Sequence, residues 1–100
     1  MLTIAQQQEL RVVCLEFLAT RYPNAYMADA IKRMLVRRQR VDFLFTESDL
    51  VATLTFLKDK NLVISVLDNL SAIPAWQATS DGVLQYQRKE VSENPEEGRL

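Results

Sequence analysis

Residues 46–82 read TESDLVATLTFLKDKNLVISVLDNLSAIPAWQATSDG, and they contain the clearest signals of the chain's fold. Thr46, followed three residues later by Asp49, forms a capping box, which predicts that a helix begins here. Leucines recur at the spacing of one helical face, at Leu50, Leu54 and Leu57. The helix is expected to end within residues 58–61, because Asn61 tolerates the left-handed conformation that commonly follows a helix.

The second part of the stretch predicts a β-hairpin. Residues 62–67 are rich in β-branched side chains, and Asp68-Asn69 is a turn signal. Residues 70–78, which include Trp76, are expected to return as a second strand. Because Pro74 has no backbone N–H, this strand is expected to be an edge strand or to bulge. The expected hairpin tip is apolar and carries no Lys or Arg.

A last helix is predicted over residues 80–91. Thr79 is its expected N-cap, and Asp81 suits the positive end of the helix dipole. Residues 92–100 contain three glutamates and a proline without an apolar period, so a disordered acidic tail is expected. Residues 1–91 then form one domain.

Two helices are predicted before residue 46. The first covers residues 3–20 and begins with a capping box of Thr3 and Gln6. The second covers residues 25–39, with Asn24 as its expected N-cap after the break at Pro23. The short apolar connector 41–45 is expected to add a brief edge strand. The fold class is mainly α with a small β-hairpin (α+β): three helices, a two-stranded wing and a C-terminal helix.

Two motifs carry a resemblance to a known fold. The pattern L-x-x-L-x-x-x-N-L-V over residues 54–63 resembles the L-x-x-L-x-x-x-G-L-V join between recognition helix and wing in ArsR-, MarR- and PadR-like regulators, with Asn61 in place of glycine. T-x-x-G at residues 79–82 resembles the start of the helix after their wing. With Phe56, the pattern looks most similar to small winged-helix proteins of Mu-like prophages. Over residues 25–90 the resemblance implies a dimeric winged helix-turn-helix regulator whose third helix lies in the DNA major groove.

Composition argues against an enzyme. The chain has 100 residues, a formal charge of -1, no histidine and one cysteine. Catalytic bases, zinc sites and thiol pairs usually need those residues. The two glycines, Gly82 and Gly98, form no phosphate loop. We therefore expect no catalytic residue, metal or cofactor, and a buried structural thiol at Cys14. With no membrane span and no signal segment in the sequence, we expect a cytoplasmic protein.

Positive charge is concentrated near the end of the second helix. Five cations within residues 32–40 face only Asp29 and Asp42. They suit either a solvated helix end that matches the dipole or a surface that contacts phosphates. The candidate DNA-binding residues are Arg33, Arg37, Arg38, Arg40, Ser48 and Thr55.

The third helix itself favours an alternative function. It begins with Glu47 and Asp49, and it has no Arg, Asn or Gln that would pair with a base edge. A protein-interaction or dimerisation module without DNA binding is therefore the second hypothesis. Its candidate interface residues are Phe56, Ala52, Leu70, Ile73, Val12 and Leu15. A homodimer is expected under both hypotheses, because the first and last helices carry excess apolar surface.

Overall fold

The computed structural model describes residues 2–67 and 72–92. The predicted turn Asp68-Asn69, the candidate interface residue Leu70 and residues 93–100 of the predicted tail 92–100 lie outside the described residues, while Ser92 is the last residue of the final helix. The described residues form four helices and three strands: α1 (Ile4–Thr20), β1 (Tyr26–Met27), α2 (Ala28–Arg37), α3 (Glu47–Asp59), β2 (Val63–Val66), β3 (Ala75–Ala78) and α4 (Ser80–Ser92).

The sheet is antiparallel and has the strand order β1-β3-β2. Val63 pairs with Ala78 and Val66 with Ala75, and on the other side of β3 Tyr26 pairs with Trp76. A helix, a short strand, two helices, a hairpin and a last helix are the arrangement of a winged helix-turn-helix. The α+β fold class predicted from the sequence is confirmed, with a sheet of three strands instead of two.

One apolar core joins the elements. Leu10, Cys14 and Leu18 of α1 are fully buried against residues of the other helices and of β2. Burial raises the pKa of the Cys14 thiol far above its usual value, so this side chain stays a neutral, apolar group. Among the residues whose burial the structure describes, the other fully buried large side chains are Ile31, Leu35, Leu50, Leu54 and Val63.

The predicted start of the second helix is wrong. Residues 26–27 form β1, and α2 begins at Ala28 after Met27, which makes no side-chain cap. Asn24 is therefore not the N-cap. Tyr26 is held in the strand because its backbone pairs with Trp76 and its ring packs edge-on against Phe17 at 5.3 Å. The helix also ends earlier than predicted, since Gln39 adopts a left-handed φ of 51°.

Two predictions about strands are also wrong. The connector 41–45 forms no strand, and the third strand of the sheet is β1 instead. β3 is the central strand and not an edge, because it pairs with both neighbours. Pro74 lies just before β3, so its missing N–H costs the sheet no hydrogen bond.

The junction between α3 and α4 explains the motifs that suggested the fold. Asn61 has φ 62°, and the N–H of Leu62 reaches back to the carbonyl of Leu57 at 3.0 Å, as in a Schellman turn. The Thr79 hydroxyl donates to the Asn61 carbonyl at 2.8 Å and accepts from the Gly82 N–H at 2.9 Å. A Cβ at position 82 would overlap the Leu62 carbonyl oxygen, so only glycine fits there. Asn61 and Gly82 thus fix how the hairpin and α4 follow α3.

Candidate nucleic-acid interface

The outward face of α3 is uncovered and carries small side chains. Leu50, Leu54 and Leu57 point into the core, while Ser48, Ala52 and Thr55 are exposed. The Thr55 hydroxyl donates to the Val51 carbonyl at 2.8 Å, so its proton is used within the helix. This face therefore offers close approach and hydroxyl oxygens, with little charge.

The start of α3 is acidic, but one of its two carboxylates is engaged in a hydrogen bond within the helix cap. Asp49 accepts a hydrogen bond from the Thr46 N–H at 2.9 Å, and the Thr46 hydroxyl accepts from the Asp49 N–H at 3.0 Å. The hydrogen bond from the Thr46 backbone lowers the pKa of the Asp49 carboxyl below its usual value. The predicted capping box is confirmed, and Glu47 is left as the exposed carboxylate of this helix end.

The four candidate arginines at the end of α2 divide into two pairs. Arg33 and Arg37 are exposed on one face of the helix, four residues apart. Arg33 lies 4.0 Å from Asp29, with both side chains more than half exposed, so this ion pair contributes little. Arg37 forms no ion pair with any residue in the ranges 2–67 and 72–92. These two guanidinium groups are available to a ligand.

Arg38 and Arg40 lie instead along a groove beside α1. Arg40 forms an ion pair with Glu16 of α1. Arg38 follows the last residue of α2, and its side chain lines the same groove. No residue of α3 lines this groove. The structure thus separates Arg38 and Arg40 from Arg33 and Arg37, although all four are close in sequence.

The candidate protein-interface residues differ in exposure. Phe56 is half-buried, because the Arg11 guanidinium lies 3.7 Å from its ring centre and the Lys60 ammonium 5.5 Å from it. Leu15 is buried within the chain. Val12 and Ile73 are exposed, at 39% and 61%.

Two further surfaces were not singled out from the sequence. The outer face of the sheet exposes Met27, Ile64 and Val66. Three of the four residues of β2 are apolar, so its sequence does not indicate that Ile64 and Val66 face outward, and nothing in the sequence near Met27 indicates a strand there. Arg21, whose guanidinium packs over the Phe17 ring at 4.0 Å, also lines the groove beside Arg38. Nothing in the sequence near Arg21 indicates that it meets the end of α2.

Among the described residues, no three His, Cys, Asp or Glu side chains are grouped closely enough to hold a metal ion. No helix in the same part of the chain is both long and apolar enough to cross a bilayer.

Comparison with solved structures supports the fold. A PadR-like transcription factor from Bacteroides fragilis superposes with a TM-score of 0.73 at 18% identity, over 91% of this chain and 85% of that one. A PadR family transcription regulator from Clostridium difficile R20291 gives 0.61 at 18% identity, over 87% and 91%. A mutant of Lactococcus lactis ZitR gives 0.57 at 16% identity, and 90% of this chain covers 59% of that protein.

No protein-family model and no curated protein matches the chain. At these identities the solved structures establish that the chain has a winged-helix fold.

Proposed function

We propose that this chain is a winged-helix DNA-binding regulator, with α3 at the major groove and Arg33 and Arg37 at the phosphates. The observation that carries the proposal is the likeness to a PadR-like transcription factor over 91% of the chain, at a TM-score of 0.73. The motifs at 54–63 and 79–82 add the finer proposal of a regulator of prophage type. DNA binding is assigned on this likeness together with the charge of α2.

Phosphate contacts dominate the proposed binding. The exposed side chains of α3 include hydroxyls, at Ser48 and Thr55, but the helix has no Arg, Asn or Gln to pair with a base edge through two hydrogen bonds. Arg33 and Arg37 supply positive charge on the exposed side of α2, the helix that packs against α3. We therefore expect binding with a strong dependence on salt and a modest preference among sequences.

Fluorescence anisotropy with a labelled duplex of mixed sequence tests the proposal. At low salt we expect saturable binding, with a Kd on the order of micromolar that weakens steeply as salt is added. Absence of binding at the lowest salt at which the protein stays soluble would contradict DNA binding by this fold.

We further propose a homodimer formed through α1 and α4. Val12 on α1 is 39% exposed and Leu84 on α4 is 47% exposed. Between these helices lies a groove of about 160 Å³, lined by Val12, Leu15 and Tyr86 among others. A second copy would cover this apolar surface, which a solvated monomer leaves in water.

Sedimentation velocity tests the dimer. Wild type is expected to sediment as a dimer and Leu84→Glu as a monomer, because a buried unpaired carboxylate is costly. Leu44→Glu is the matched control: Leu44 is 96% exposed in the connector between α2 and α3, and this variant should remain dimeric. A monomeric wild type at tens of micromolar would refute the dimer.

The outer face of the sheet favours a second candidate function, a protein-interaction module without DNA binding. Its strands contain no charged residue, and Met27, Ile64 and Val66 are each more than 40% exposed. In this case the duplex would not bind, and Ile64→Lys would weaken self-association while Leu44→Lys would leave it unchanged. Equal effects of both variants would exclude the sheet face as the contact.

A further inference from the structure

A groove of about 210 Å³ lies between the C-terminal half of α1 and the end of α2. Its walls are apolar at the base, where Val13, Phe17 and Leu35 are buried, and basic at the rim. Arg21, Arg38 and Arg40 stand around it, and among the described residues that line it Glu16 is the only carboxylate. We propose that this groove binds a small oxyanion, a phosphate or a carboxylate group on a compact molecule.

Arg21 is held in place before any ligand arrives. Its Nη1 donates to the Phe17 carbonyl at 3.2 Å and lies 3.3 Å from the Thr20 hydroxyl oxygen. Its guanidinium plane also packs over the Phe17 ring. A guanidinium has five N–H donors, so these contacts leave donors free. A fixed arginine loses little conformational entropy when it binds an oxyanion.

Interaction with a helix C-terminus explains the position of the Arg21 side chain but not that of the Arg38 side chain. Both residues follow the last residue of a helix, where the free carbonyls favour a cation. Arg21 satisfies such a carbonyl directly. The Arg38 side chain makes no hydrogen bond or ion pair within the described part of the chain, although it lines a groove that already holds two other guanidinium groups. Three guanidinium groups against one carboxylate leave the groove with a net positive charge, which favours a bound anion.

A bound anion would compete with the Glu16 carboxylate for Arg40. The Arg40–Glu16 ion pair is partly shielded, with side chains 43% and 31% exposed. This carboxylate shows that the groove accommodates an oxyanion, and it lowers the affinity for a second one by repulsion. The volume lies below the roughly 300–1,000 Å³ of pockets for drug-sized ligands, which favours a small anion over a nucleotide.

The proposed anion site is separate from the proposed DNA-binding surface, because neither α3 nor Arg33 or Arg37 lines the groove. ¹H–¹⁵N NMR of the full chain tests it, with inorganic phosphate titrated at constant ionic strength. We expect saturable shifts at the Arg21 and Arg38 side chains and in the backbone of residues 35–40. Absence of saturable shifts with phosphate, and with succinate in a parallel titration, would overturn the proposal. Saturation by one probe alone identifies the class of anion.

Three variants separate a site from general attraction to positive charge. Arg38→Gln should weaken binding roughly tenfold, since a charge-assisted hydrogen-bond pair is lost. Arg37→Gln, the same change one residue away on the exposed face, should change the affinity less than twofold. Glu16→Gln should tighten binding severalfold, because it removes the competing carboxylate. Equal weakening by Arg37→Gln and Arg38→Gln would show that the groove is not a specific anion site. An NMR spectrum with the chemical-shift dispersion of wild type checks that each variant is folded.

Discussion

The two helices of the helix-turn-helix differ in what their side chains do. The ends of α3 are tied to the fold by hydrogen bonds at Thr46, Asp49 and Asn61, and its exposed face is nearly uncharged. In the C-terminal part of α2, by contrast, the side chains of Arg33 and Arg37 are charged and exposed, and they contribute little to packing. The helix that determines the shape is therefore distinct from the helix that carries the charge. Changes around α3 should act on stability, and changes on the exposed face of α2 should act on binding.

The largest effect on stability is expected at Gly82, beyond the far end of α3. In Gly82→Ala the new methyl group would overlap the Leu62 carbonyl, so the junction between hairpin and α4 must shift. We expect a loss of about 2–3 kcal/mol in the free energy of unfolding. Thermal unfolding followed by circular dichroism measures it, and an unchanged melting temperature would show that the junction is not rigid. Ser80→Ala, an exposed position in the same turn, is the control.

A smaller effect is expected at the other end of α3. Thr46→Ala removes the acceptor for the Asp49 N–H and should cost about 1 kcal/mol of unfolding free energy. Urea unfolding measures this change. Ser48→Ala, also in the first turn but outside the capping box, should cost much less. Equal losses in both variants would mean that the box adds nothing to this helix.

Acid should weaken the same capping box. The pKa of Asp49 is lower in the folded chain than its usual value, because the Thr46 N–H donates to the ionised carboxylate. Its contribution to stability is therefore complete above the pKa of the unfolded chain and is lost as the pH falls through the lower, folded value. Between about pH 5 and pH 3, wild type should lose more stability than Asp49→Asn, as followed by urea unfolding. Parallel losses would contradict this role of Asp49.

The smallest effect concerns the one exposed carboxylate at the start of α3. Glu47→Gln should strengthen duplex binding by up to roughly fivefold, since a unit charge about 4 Å from a phosphate in water is worth about 1 kcal/mol. Anisotropy titrations at one salt concentration measure this. Asp59→Gln, at the opposite end of the helix, should change the affinity less. If both variants act alike, α3 does not approach DNA by its N-terminal end.

The sequence was sufficient for elements whose signals are local. The capping boxes at Thr3 and Thr46, the left-handed Asn61 and the cap at Thr79 each depend on residues a few positions apart, and all four are present in the structure. β1 was missed because its two residues form a strand only by pairing with Trp76 and Ala75, about fifty residues later. Local preference for a helix is overridden there by pairing with β3 and packing on α1.

The sequence also could not predict that the four candidate arginines separate into two pairs. Helical spacing groups Arg33, Arg37 and Arg40 on one face, but α2 ends at Arg37 and the left-handed Gln39 redirects the chain. Arg40 therefore reaches Glu16 on α1, and Arg38 reaches the groove that contains Arg21. Where a helix ends depends on its tertiary contacts, so spacing alone could not assign these side chains.

The proposed contact between the exposed arginines of α2 and DNA phosphates is tested by the slope of log Kd against log salt. The slope is measured for wild type and for the double variant Arg33→Ala, Arg37→Ala. We expect the double variant to bind more weakly and its slope to be smaller by about 2, roughly 1 for each lost phosphate contact. Arg88→Ala, a change at an exposed arginine of α4, should leave the slope unchanged. The same slope in wild type and in the double variant would show that Arg33 and Arg37 do not contact DNA phosphates.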